Sequence, residues 1–103
     1  MSQDLFSAID SNNEELIEQL YKKGTNFNEQ LFDQTPLLYA SQKKTQKEIF
    51  QKLIQFGSNI NCKDKNTPLH YACLYNASLD IISLLISSGA SISSKNVFNL
   101  IIK

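Results

Sequence analysis

Arginine does not occur in this chain, histidine occurs once, and cysteine, proline and glycine number two, two and three among 103 residues. Each shortage removes a class of chemistry. Arginine supplies the planar fork that grips phosphates and base edges through paired hydrogen bonds; a nucleic-acid surface would here rest on lysine alone. With one histidine and no CxxC pair around Cys62 or Cys73, the usual zinc ligand sets are missing. The two cysteines make no disulfide framework and read as small apolar thiols in a reducing compartment. Gly24, Gly57 and Gly89 lie 33 and then 32 residues apart, so none belongs to a glycine-rich phosphate cradle. Apolar runs are short, as in Leu84-Leu85-Ile86, against the roughly 20 residues that span a bilayer. The polar start Met1-Ser2-Gln3-Asp4 lacks the basic stretch and apolar run of a secretory signal. An intracellular setting is expected, the cytoplasm first and the nucleus second.

What is present is an ordinary globular composition, 42% apolar and 19% charged with zero net charge, in a length that suits one domain. The charge is unevenly placed. Residues 1–34 hold seven acids and two lysines, a net of −5, whereas residues 35–66 hold six lysines and two acids, a net of +4.

Three segments align without gaps: Leu16-Ile17-Glu18-Gln19-Leu20-Tyr21-Lys22-Lys23-Gly24, Ile49-Phe50-Gln51-Lys52-Leu53-Ile54-Gln55-Phe56-Gly57 and Ile81-Ile82-Ser83-Leu84-Leu85-Ile86-Ser87-Ser88-Gly89. Apolar residues at i, i+1, i+4 and i+5 share one face of an α-helix. The glycine stands where a helix ends in the left-handed conformation. After each glycine comes one apolar residue among small polar ones, in Thr25-Asn26-Phe27-Asn28, Ser58-Asn59-Ile60-Asn61 and Ala90-Ser91-Ile92-Ser93. That pattern predicts an extended stretch with a single anchor. A second motif follows a polar connector: Thr35-Pro36-Leu37-Leu38-Tyr39-Ala40-Ser41 and Thr67-Pro68-Leu69-His70-Tyr71-Ala72-Cys73. The threonine hydroxyl caps free backbone N–H groups, and proline fits the first helical position, where its missing N–H does no harm. Each unit therefore reads as helix, tight turn, helix, extended connector.

These residues resemble the ankyrin repeat, whose signature T-P-L-H-x-A is met in full by Thr67 to Ala72 and, apart from Leu38, by Thr35 to Ala40. The resemblance implies an all-α solenoid of stacked helix-turn-helix units with short extended or hairpin connectors. The units fall at about 1–33, 34–65 and 66–98, with a partial unit at 99–103. The first unit has Asp4-Leu5-Phe6-Ser7-Ala8 in place of the signature and reads as a cap with a polar outer face. Asn12 and Asn76 replace the usual glycine of the inter-helix turn, asparagine being well suited to that backbone. The connectors are short for the family, so their hairpins should be stunted. The apolar end Val97-Phe98 and Leu100-Ile101-Ile102 is the opposite of a polar cap. Either the array continues beyond it, or this tail folds back or meets a partner. Leu37, Leu53, Ile54, Leu69, Leu85 and Ile86 are expected to form the spine of the core, and Tyr39 and Tyr71 to pack between units.

No catalytic constellation emerges, and no catalytic, cofactor-binding or metal-binding residue is expected. His70 occupies the signature position whose histidine, by resemblance, bonds backbone between units. Cys73 stands at a small-residue packing position, parallel to Ser41. Glu14, Glu15 and Glu18 line the start of a helix, where negative charge suits the dipole. Binding remains. By resemblance, the partner-facing positions are Asp10 and Ser11, Gln42 and Lys43, Leu74 and Tyr75, then Glu29, Gln30, Leu31 and Phe32 in one connector and Lys63, Asp64 and Lys65 in the next. Leu31, Phe32, Leu74 and Tyr75 stand out, because apolar and aromatic anchors ringed by polar residues mark interface hot spots. Leu31 and Phe32 read equally well as local core beneath a shortened hairpin.

The expected function is a non-catalytic protein-interaction module, an adaptor, scaffold or inhibitor, whose partner is another protein. The chain is expected to be a monomer or to self-associate weakly through its apolar tail, and the alternative role is a structural segment that self-assembles by that tail. Nucleic-acid binding through Lys43, Lys44, Lys47 and Lys52 is the lesser reading, and no membrane association is expected.

Overall fold

A computed structural model describes residues 2–31, 33–43, 45–61, 67–75 and 78–90. Among these described residues, six helices follow one another: α1 (Ser2–Asp10), α2 (Glu14–Lys22), α3 (Pro36–Ser41), α4 (Lys47–Gln55), α5 (Pro68–Leu74) and α6 (Leu79–Ser87). Neighbours α1 and α2, α3 and α4, and α5 and α6 pack as helical hairpins. The first helices, α1, α3 and α5, then stack side by side in one layer and α2, α4 and α6 in another.

The helix ends follow from single residues. Thr35 and Thr67 accept hydrogen bonds from the N–H groups of Leu38 and His70 through their hydroxyls, each at 3.3 Å, with proline next in the chain. Asn13 and Ser78 do the same for Leu16 and Ile81, at 3.1 and 3.4 Å. The second helices end alike. Gly24, Gly57 and Gly89 have φ of +86°, +105° and +106°. The residue after each glycine donates its N–H five positions back, Thr25 to Leu20, Ser58 to Leu53 and Ala90 to Leu85, at 2.9–3.1 Å. This left-handed closure satisfies carbonyls that a helix end otherwise leaves bare. It turns the chain out into the connector. Asn12 takes the left-handed conformation expected of it, at φ +52°; Asn76 lies outside the described residues.

Leu5, Ile9, Ile17, Leu37, Ile49, Phe50, Leu53, Leu69 and Leu85 are almost fully buried in one continuous core that runs through all three hairpins. Ala8, Ala40 and Ala72, at equivalent places in the three first helices, are 0% exposed. No larger side chain would let these helices approach as closely.

Two members of the expected spine do not belong to it. Ile54 is only partly buried, and Ile86 is 36% exposed. Both occupy the last apolar position of the repeated pattern, which faces the following unit rather than the hairpin's interior. Tyr21 holds that position in the first unit and meets Phe56 of the second. No described helix follows α6 to cover Ile86.

The connector of the first unit closes in a minimal hairpin. Leu31 and Gln34 exchange both backbone hydrogen bonds, at 2.9 and 3.0 Å, around a turn in which Asp33 has φ +64°.

Candidate functional site

The C-terminal ends of the three first helices bring three equivalent pairs to the surface: Asp10 and Ser11, Gln42 and Lys43, Leu74 and Tyr75. On α1, the Asp10 carboxylate accepts a hydrogen bond from the Tyr39 hydroxyl, 2.7 Å from each oxygen. The Ser11 hydroxyl donates to the Ser7 carbonyl at 2.9 Å. Tyr39 meets Phe6 edge to face at 5.1 Å and so packs between the first and second units. Burial, reinforced by the hydrogen bond to Asp10 and its charge, pushes the Tyr39 hydroxyl up to about 12.

On α3, the Gln42 amide donates to the Leu38 carbonyl at 3.1 Å and to the Gln34 side chain, tying the helix to its connector. The Lys43 ammonium lies over the Tyr39 ring, 5.1 Å from its centroid. On α5, Leu74 and Tyr75 are 46% and 54% exposed. Tyr75 stacks on the half-buried Tyr71 at 6.2 Å with 24° between the planes. Of the connector positions, Glu29 and Gln30 are exposed and Leu31 is half-buried. Phe32, Lys63, Asp64 and Lys65 lie outside the described residues.

The groups with catalytic or ligating chemistry are placed as follows. His70 is half-buried, its backbone N–H donating to the Thr67 hydroxyl and its ring edge-on to Tyr71 at 6.4 Å. Cys73 is a free thiol whose pKa burial pushes up, the opposite of what activates a nucleophile. Among the described residues, no three of His, Cys, Asp and Glu gather where they could hold a metal ion. An open depression of about 500 Å³ near the end of α2 is lined by Asp4, Lys23, Asn26 and Glu29 among others. Both of its carboxylates are exposed, so it offers no enclosed pair to act as acid and base.

Several polar contacts were not anticipated from the sequence. Glu18 lies within α2 rather than at its start, and Lys52 of α4 donates to it at 2.6 Å. That hydrogen bond and the lysine's charge hold the Glu18 carboxyl below its ordinary value. Asn28 clips the first connector to the second: its amide donates to the Gly57 carbonyl at 2.9 Å and its oxygen accepts from the Asn59 N–H at 2.6 Å. Asn61 repeats the first of these bonds to Gly89 at 3.1 Å. Asn12 accepts from the Gln46 N–H at 3.0 Å, at the start of α4, which has no side-chain cap. The partners in these pairs stand 28 to 34 positions apart, close to one repeat. Searching for complementary side chains at that offset would have revealed Tyr39 with Asp10 and Lys52 with Glu18, whereas the asparagine bonds end on backbone groups and leave no such signal.

Helical hairpins of one pattern, stacked in register and stitched at an offset of one period, define a helical-repeat solenoid. Residues 5–96 match the family model for ankyrin repeats in three copies, and the chain belongs to the ankyrin repeat family. It is 41% identical over 69 residues to a fowlpox virus (strain NVSL) protein named as an ankyrin repeat protein, a match covering 64% of this chain and 14% of the viral one. It is 38% identical over 66 residues to a Danio rerio protein named as a palmitoyltransferase, covering 61% of this chain and 10% of that one. The chain thus matches only a small part of either relative. Ankyrin repeat domains are in general protein-interaction modules without catalysis of their own. No helix among the described residues is long and apolar enough to cross a membrane.

Proposed function

We propose that this chain is a non-catalytic adaptor, scaffold or inhibitor that grips a partner protein inside the cell through its first-helix face and connector tips. The observation that carries the reading is the exposure of Leu74 and Tyr75 side by side at the end of α5. A solvated surface gains nothing from a leucine and a phenol ring in such a place, whereas tyrosine is among the side chains enriched at interface hot spots and an adjoining leucine adds apolar area beside it. Asp10, Gln42 and Lys43 supply the polar surround. The single histidine is half-buried within its own helix and the described cysteine has a raised pKa, which supports a role without turnover.

Affinity purification from source cells with the wild-type chain and with Leu74→Ala/Tyr75→Ala tests this reading. Loss of the specifically retained protein, by about 30-fold or more for a pair of hot-spot residues, is expected. Equal recovery with both chains would remove these residues from the interface.

A further inference from the structure

The three equivalent pairs differ in chemistry along the first-helix layer, and the difference has a direction. At α1 the side chains are small or negative and already engaged, Asp10 with Tyr39 and Ser11 with the Ser7 carbonyl. At α3, Gln42 is spent on Leu38 and Gln34. Lys43 is held against the Tyr39 ring but meets no acceptor among the described residues. Lys52, by contrast, is neutralised by Glu18. At α5 the surface turns apolar and aromatic. Read from α1 to α5, the column runs negative, positive, apolar.

We propose that the α3–α5 end of this face takes a protein segment carrying a carboxylate beside a large apolar side chain. The carboxylate meets Lys43 and the apolar group covers Leu74 and Tyr75. The inference rests on the interaction-module reading and specifies the chemistry of the partner. Charge complementarity fixes the orientation: the same carboxylate placed one unit earlier would face Asp10 and be repelled. Packed helices lie about 8–10 Å apart, a span that two residues of extended chain plus their side chains bridge. The carboxylate and the apolar group therefore belong two positions apart in the segment, with one residue between them.

The test uses the full chain, labelled with ¹⁵N, and two probe peptides, N-acetyl-Glu-Gly-Phe-amide and N-acetyl-Lys-Gly-Phe-amide. The glutamate probe should shift the amide signals around Lys43, Leu74 and Tyr75, with an affinity about two- to fivefold above that of the lysine probe, the size of an exposed ion pair. Lys43→Glu should invert the preference, and Leu74→Ala should weaken both probes, with the far-UV circular dichroism of each variant unchanged. Equal affinity for the two probes, shifts elsewhere on the molecule, or no shifts would overturn the proposal. So would stronger, steeply salt-dependent shifts of the same amides by oligothymidylate, which would make the occupant a nucleic acid. Equal probe affinities together with loss of the cellular partner from Leu74→Ala/Tyr75→Ala would leave the interaction module standing and sink only its stated chemistry.

Discussion

The seam between the first and second units and the seam between the second and third share one backbone plan but are closed by different side chains. In the first seam Tyr39 reaches Asp10, Lys52 reaches Glu18, and Tyr21 stacks flat on Phe56 at 4.1 Å with Phe27 edge-on to both. One unit further along, the sequence places Tyr71 by Gln42, Leu84 by Gln51 and Ser88 by Ile54 at the same positions. Among the described residues, neither the ion pair nor the flat ring stack has a counterpart at these positions. What recurs is the leucine core and the asparagine clip, Asn28 to Gly57 and Asn61 to Gly89. In repeat proteins, stability is close to a sum of unit and neighbour terms. On the described side chains, the third unit, which carries Leu74 and Tyr75, is expected to be the more loosely held of the two outer units. Binding elements are commonly drawn from that end of the stability range.

The largest effect expected is in the shared core. Leu37 and Leu53, each 0% exposed, belong to the middle unit that both seams use. Alanine at either should remove about 2–5 kcal/mol from a domain with about 5–15 kcal/mol in total, read as a fall in the denaturant midpoint. Next comes the clip. Asn28→Ala removes both the bond to Gly57 and the bond to Asn59 and should cost about 1–2 kcal/mol. The matching Asn61→Ala, which removes the bond to Gly89, should cost a similar amount, since the clip recurs in both seams; a much larger loss at one of them would make the clip part of the inequality.

Smaller still is the Tyr39–Asp10 contact, which has a pH signature. The hydroxyl is raised from 10.0 to about 12 in the folded chain, so folding favours its neutral form. That contribution is whole below pH 10 and is lost as pH rises towards 12. Thermal melts should show this alkaline loss in the wild type and a shallower one in Tyr39→Phe. The least effect should come from Glu18→Gln, because a half-exposed surface pair is screened by solvent and salt. Its carboxyl is depressed by Lys52, so its contribution is present above the ordinary carboxylate value and fades as pH falls through the lower folded one. Adding salt should erase the difference between Glu18→Gln and wild type at neutral pH.

Much of the architecture was legible in the residues because each helix end carries its own local signal. Thr35-Pro36, Thr67-Pro68 and the three glycines act through the few residues beside them, so spacing alone located the hairpins. The side chains between units were not legible in that way. Tyr39 and Asp10, or Lys52 and Glu18, are separated by 29 and 34 positions, and each residue taken singly looks like ordinary surface. Ile86 was misplaced for a related reason. Helical periodicity assigns it to an apolar stripe, but whether a stripe's edge is buried depends on what stacks beside it. Asp10 shows the same limit within the candidate site: its position marked it as exposed, while its commitment to Tyr39 appears only once α1 and α3 lie side by side.

Residue-resolved hydrogen exchange on the intact chain puts the inequality of the two seams to its most direct test. Amides in α3 and α4 should exchange slowest, those of α2 should follow, and those of α5 and α6 should exchange faster by a common factor. Uniform protection across all six helices, or slowest exchange in α5 and α6, would contradict it.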